Sequence, residues 1–216
     1  AYVTNALAIG VSVVDLSAYT AQMTAISATP RTLAMSPDGA RLFIGHNAAP
    51  QVTVVNTGSM AVATTITTGA SSSAMAVDSH QLITVANQIG SVGVIVDTST
   101  YTTTYTVPVA DKARQVVLSP DGATAYSVGD STALVTAFST STGEVTASIP
   151  VGSTARMSAF TPNGRKLYVT SQSGSVSVVD TYVPVSRDTS QDPPAAMQQF
   201  AVAPGTPTSE CGALAP

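Results

Sequence analysis

One turn signal recurs along this chain at a fixed step, and that step constrains the fold more than any other feature. Ser36-Pro37-Asp38-Gly39, Ser119-Pro120-Asp121-Gly122 and Thr161-Pro162-Asn163-Gly164 are clear copies. Val77-Asp78-Ser79-His80 is a degenerate copy, and Ala203-Pro204-Gly205 is an echo. Their proline positions fall at 37, 78, 120, 162 and 204, in steps of 41 or 42 residues. A second landmark keeps the same period. Val11-Ser12-Val13-Val14-Asp15 returns at 52–56, 92–97, 135–139 and 176–180, each time a β-branched run closed by a short polar residue. A third is an aromatic or aliphatic start at Tyr2, Phe43, Ile83, Tyr126 and Tyr168. Such a chain builds one small unit several times and buries each unit's apolar face against the next copy.

Each unit reads as four short strands. In the fourth, these are 113–118, 124–128, 133–138 and 144–149, rich in Val, Ile, Thr and Tyr as pleated surfaces prefer. The Ser-Pro-Asp-Gly turn joins the first two, its Gly free to take a positive φ. No long window carries the apolar spacing of a helix. Four strands in about 42 residues is the pattern of a β-propeller blade. The expected fold is all-β: a propeller of five four-stranded antiparallel blades in a single domain, 1–204, with an irregular segment at 182–196 and a tail at 205–216.

The first unit begins at its second strand, so its innermost strand is missing. Residues 198–203 lie one period beyond the fifth unit's first strand and are expected to pair with residues 2–5, closing the ring. Two alternatives stay open. The chain is a piece of a longer propeller, or its C-terminal strand completes a neighbour's blade and makes a homo-oligomer.

Composition narrows the function. Only 9% of residues are charged, against roughly 25% in an average soluble protein. The 31 Thr and 26 Ser supply the polar surface instead. Eight basic residues in 216 make no stripe for nucleic acid. One Cys excludes a disulfide scaffold, and no apolar run is long enough for a transmembrane helix. No signal peptide is visible, as in either a mature chain or an excised fragment. The hydroxyl-rich, Lys-poor composition sets an extracellular or cell-surface location as the expectation, with the periplasm also in range.

Tyr2-Val3-Thr4-Asn5, Tyr168-Val169-Thr170-Ser171, the Val-Ser-Val-Val-Asp runs and the Ser-Pro-Asp-Gly turns together resemble the YVTN family of β-propeller repeats over about residues 1–181. The resemblance implies a propeller used as a surface protein, a lactonase-like enzyme or a haem-bearing domain. Family members usually carry seven blades, and this chain has material for about five.

Chemistry-bearing residues are sparse. A Ser/His/acid hydrolase needs His beside Ser. His80 falls in a first turn and His46 near a second, at opposite ends of the strands, so both read as exposed loop residues. Gly69-Ala70-Ser71-Ser72-Ser73 lacks the closing Gly of a nucleophile elbow. No phosphate loop, dinucleotide fingerprint, zinc spacing or EF-hand loop occurs. Met35, Met75 and Met157 read as core filler rather than haem ligands. No catalytic residue, metal site or cofactor is assigned. Asp15, Asp97, Asp180, Asn56 and Ser139, like Asp38 and Asp121, read as turn residues bonding nearby backbone N–H groups.

One recurrence points to a ligand. Arg31, Arg114 and Arg156 each stand six residues before a turn proline, with Ser72 and Gln198 as equivalents. These five positions are expected to start the innermost strands and line one mouth of the central channel. Guanidinium groups there suit a carboxylate, sulfate or phosphate, on a protein partner or a small anionic ligand. The expectation is a non-catalytic module for adhesion, assembly or ligand binding. The alternative is a lactonase-like hydrolase, or another small-ligand enzyme, working at the channel mouth.

Overall fold

The computed structural model describes residues 1–86 and 91–181, together with the backbone of 198–201. The expected irregular segment at 182–196 and tail at 205–216 lie outside the described residues. Five antiparallel sheets follow one another along the chain, and no helix occurs among the described residues. Blade one holds β1 (Tyr2–Asn5), β2 (Gly10–Asp15) and β3 (Thr20–Ala25). Blade two holds β4 (Pro30–Met35), β5 (Arg41–His46), β6 (Gln51–Asn56) and β7 (Val62–Thr67). Blade three holds β8 (Ala74–Val77), β9 (Gln81–Val85), β10 (Val92–Asp97) and β11 (Thr103–Pro108). Blade four holds β12 (Ala113–Leu118), β13 (Thr124–Gly129), β14 (Leu134–Ser139) and β15 (Val145–Pro150). Blade five holds β16 (Ala155–Phe160), β17 (Lys166–Ser171), β18 (Ser175–Asp180) and β19 (Gln198–Ala201).

The proline turns are one device built repeatedly. Asp38 Oδ1 accepts from the Ser36 hydroxyl at 2.5 Å and from the Ala40 N–H at 3.0 Å. Ser36 Oγ in turn accepts from the Arg41 N–H, so side chains close both sides of the turn. Asp121 with Ser119, and Asn163 with Thr161, repeat the arrangement. The closing glycines Gly39, Gly122 and Gly164 have φ of 71°, 71° and 70°. These are left-handed values that L side chains adopt at a cost.

The core lies between blades rather than within one. Val11 of blade one meets Leu42, Ile44 and Val55 of blade two. Phe43, Val52, Val54 and Ile66 of blade two meet Leu82, Val94 and Val96 of blade three. Ile83, Val85, Ile95 and Val107 then meet Ala113, Val116, Ala125 and Phe138 of blade four. Tyr126, Val128, Val135 and Ala137 meet Leu167, Val169 and Val179 of blade five, and Tyr126 sets its ring edge-on to Phe160 at 5.3 Å. Strand alternation explains the pattern: Leu42 and Phe43, adjacent in sequence, face opposite neighbours. Burying each such side chain contributes about 1.5–3 kcal/mol.

Two expectations about packing are corrected. Residues 198–201 do not pair with β1. Their strand β19 pairs with β18, Gln198 opposite Val178 and Ala201 opposite Ser175, and so forms the outer strand of blade five. Blade one stays three-stranded, with β1 hydrogen-bonded to β2 alone among the described strands. The residue step to 204 is therefore not a register for a sixth inner strand. The methionines also divide. Met75 packs against the core between blades two and three, whereas Met35 and Met157 stand 48% and 58% exposed.

Candidate functional site

Arg31, Arg114 and Arg156 are the second residues of the inner strands β4, β12 and β16. In all three blades the ladder skips at the arginine: pairing passes from Pro30 to Thr32, from Ala113 to Gln115, and from Ala155 to Met157. Each arginine is thus the extra residue of a β-bulge, which turns its side chain out of the regular alternation. The preceding residues Pro30, Ala113 and Ala155 are buried and anchor the bulge.

Each guanidinium meets a polar residue 16 positions onward, the first residue after the blade's second strand. Arg31 donates to Asn47 Oδ1 at 2.9 Å, Arg114 Nε donates to Asp130 Oδ2 at 2.7 Å, and Arg156 donates to Gln172 Oε1. Arg156 also lies across the blade boundary, its Nη1 3.7 Å from the same Asp130 oxygen. Two arginines from adjoining blades therefore share one carboxylate. The Asp130 side chain is 11% exposed, against 39% and 33% for Arg114 and Arg156. Its Oδ1 is buried and accepts no hydrogen bond. The cluster carries one positive charge in excess, and its cations face water while its anion does not.

Asp130 stands 16 residues from Arg114 and 26 from Arg156, so no local sequence pattern pairs it with either. The signal that finds it is the repeat itself: Asn47, Asp130 and Gln172 occupy one repeat position, and all three are polar.

Ser72 and Gln198 do not join this group. The turn between β8 and β9 spans 78–80, two residues shorter than 36–40, so counting back from the turn lands one residue early. By strand pairing, the counterpart of Arg31 is Ser73, since Ala74 opposes Val85 as Thr32 opposes Gly45. Ser72 is fully buried, its Oγ accepting from Thr84 Oγ1 at 2.7 Å. Ser73 Oγ is turned to the carbonyls of Val85 and Ala113, tying blade three to blade four. Gln198 belongs to the outer strand β19, far along the blade from the inner strands.

The histidines are separated, and one is not where its sequence suggests. His80 lies in the 78–80 turn, its Nδ1 2.8 Å from Ser79 Oγ. His46 is not in a loop: it ends β5, is fully buried, and holds Thr53 Oγ1 through Nε2 at 2.8 Å. Burial pushes its imidazole below its ordinary range, opposed by the backbone of Thr29 and Ala28. Asp15 and Asp97, which end third strands, serve their turns. Asp15 accepts from Ser17 and Ala18, and Asp97 from Ser99 and Thr100. Those bonds, from the Ser99 hydroxyl first and then the Thr100 and Ser99 N–H groups, hold the Asp97 carboxyl down at about 2. No group of three His, Cys, Asp or Glu able to hold a metal ion occurs among the described residues.

Sheets of this form, stacked face to face in chain order, are shared with known structures. The fold is a β-propeller. The chain is similar to hydrazine synthase of Kuenenia stuttgartiensis, with a TM-score of 0.74 and 19% identity over 84% of this chain and 59% of that one. It is also similar to the dihydro-heme d1 dehydrogenase NirN in complex with DHE, with a TM-score of 0.67 and 14% identity over 82% of this chain and 41% of that one. The chain thus spans well under two thirds of either neighbour. At these identities the likeness concerns the fold. No protein-family model matches the chain, and no curated protein does.

Proposed function

We propose that this chain is a non-catalytic propeller module, built of YVTN-type repeats and working at a cell surface or outside the cell, that binds a carboxylate-bearing or other small anionic group at the rim lined by Arg31, Arg114 and Arg156. One observation carries the reading: Arg114 and Arg156, from adjoining blades, share the single carboxylate of Asp130 while both stay about one third exposed. A guanidinium whose inner edge is held by a buried acid presents its remaining N–H donors outward in a fixed direction. The bulges supply the same presentation in three blades, with Arg31 on the inner strand of blade two held by Asn47. The hydroxyl-rich surface and the YVTN-like runs on β1 and β17 support the setting and the repeat type. Nothing in the placement of His46 and His80 favours the hydrolase alternative.

Calorimetric titration with citrate tests the proposal. The parent is expected to bind saturably, with affinity falling as sodium chloride rises, because the site faces water. The double variant Arg114→Gln, Arg156→Gln should bind at least about tenfold more weakly, the loss of one or two charge-assisted bonds. Equal affinity in both proteins, or no binding by the parent, contradicts the proposal.

A further inference from the structure

Among the described residues the blade–blade contacts are built from the same repeat positions, and two faces with those positions are left uncovered by other described residues. On blade five the forward face carries Met157, Tyr168, Val176 and Val178. Met157 is 58% exposed and Tyr168 41%. The same positions on blade four, Tyr126, Val135 and Ala137, are 8%, 0% and 4% exposed because blade five covers them. On blade one the backward face carries Val3 and Met23, both 51% exposed, whereas Ile44, the blade-two counterpart of Val3, is 0% exposed against blade one. The two faces therefore do not meet each other among the described residues.

Tyr19 shows what the backward face is shaped to do. It stands four residues after Asp15, as Met60 stands after Asn56 and Tyr101 after Asp97. All three hold left-handed backbone, with φ of 52°, 55° and 58°. That conformation is uncommon for residues of this size. Met60 packs on the core joining blades one and two, and Tyr101 on the core joining blades two and three. Tyr101 is also gripped there: Arg41 Nη1 donates to its hydroxyl at 2.7 Å, and Arg41 Cζ lies over its ring, 6.0 Å from the centroid. Tyr101 and the blade-two residues Pro37, Asp38, Arg41 and Phe43 together line a cleft of about 350 Å³ between the two blades. Tyr19 has the same backbone and no such cleft before it, and it stands 90% exposed. Blade five carries the counterpart walls in Pro162, Asn163, Lys166 and Tyr168, with Lys166 in the place of Arg41.

We propose that the free faces of blade five and blade one are two halves of one blade–blade contact, closed between two copies of this chain set head to tail, with Tyr19 of one copy seated against Lys166 and Tyr168 of the other. Blade one of a second copy offers blade five an aliphatic sheet face and, in Tyr19, an aromatic residue at the position from which Tyr101 of blade three meets blade two. The contact continues the four interfaces already made inside the chain and uses apolar patches that a monomer rarely leaves open. A tyrosine is the kind of side chain that carries binding energy in such contacts. Because the two halves differ, the contact is heterologous.

Sedimentation velocity over a range of micromolar concentrations tests this with two variants. Met157→Asp, Tyr168→Asp disables the forward face, and Val3→Asp, Tyr19→Ser disables the backward face. The parent should associate with rising concentration. Each variant alone should stay monomeric, and a one-to-one mixture of the two should form dimers and nothing larger. A parent that stays monomeric throughout overturns the proposal, since the faces are then covered some other way or not at all. So does association that survives in either variant alone, or a mixture that stays monomeric. Circular dichroism checks that the variants are folded, and the milder pair Tyr168→Ser and Tyr19→Ser gives the same reading if an aspartate variant is not.

Discussion

At the scale of single residues, position in the blade decides what a polar side chain does. Asp97 and Asp15 sit at the exposed ends of third strands and are held as carboxylates by short turn bonds. The stability they contribute is full above the ordinary carboxylate value of 3.8 and is lost as the pH falls toward their lowered folded values. His46 works at a higher pH for a different reason. Its imidazole is pushed below 6.5 by burial, so the folded state resists a proton that the unfolded chain accepts. Its contribution is full above about pH 6.5 and falls as the pH drops through the window beneath it. The melting temperature of the parent should therefore decline between about pH 7 and pH 5, and His46→Gln should remove most of that decline. The same decline in both proteins would assign it to other groups.

At the scale of elements, turns and strands were legible in the sequence because their causes are local. The Ser-Pro-Asp-Gly copies announce their own hydrogen bonds, and the β-branched runs announce strands β2, β6, β10, β14 and β18 at the places observed. What was not legible depends on partners far along the chain. The bulges at Arg31, Arg114 and Arg156 leave no local mark, Ser72 was misplaced by one short turn, and His46 lies in the core only because blades pack on both sides of β5. The turns allow a graded test. A Cβ at Gly39 would meet nothing within 4 Å, whereas at Gly122 it would lie 2.7 Å from the Asp78 carboxylate of the adjoining blade. Gly39→Ala should cost about 1 kcal/mol for the left-handed backbone alone. Gly122→Ala should cost clearly more in urea unfolding, and equal losses would mean that the Asp78 side chain yields freely. The end of the chain gives a second test. Deleting residues 195–216 removes β19 and leaves blade five three-stranded, like blade one, with β18 as a bare edge. The melting temperature should fall by a few degrees, at roughly 2–4 °C per kcal/mol for a chain of this size, with the β spectrum kept. An unchanged melting temperature would deny the β18–β19 pairing.

At the scale of the whole molecule, repetition does two things. It makes five sheets that bury their apolar faces on one another, and it brings equivalent residues of successive blades to the same level. The second property gives Arg31, Arg114 and Arg156 the same place, the bulge at the start of the inner strand, in three blades. It also separates them from Arg41, which follows the proline turn of its blade at the opposite end of the strands. The two levels can be told apart directly by nitrogen–proton correlation spectra of the arginine Nε–H groups during a citrate titration. Saturable shifts should be confined to Arg114 and Arg156, with a smaller change at Arg31 and none at Arg41, and the shifts should disappear in high salt. Equal drift of all the arginine signals, or none, would contradict an anion site on this rim.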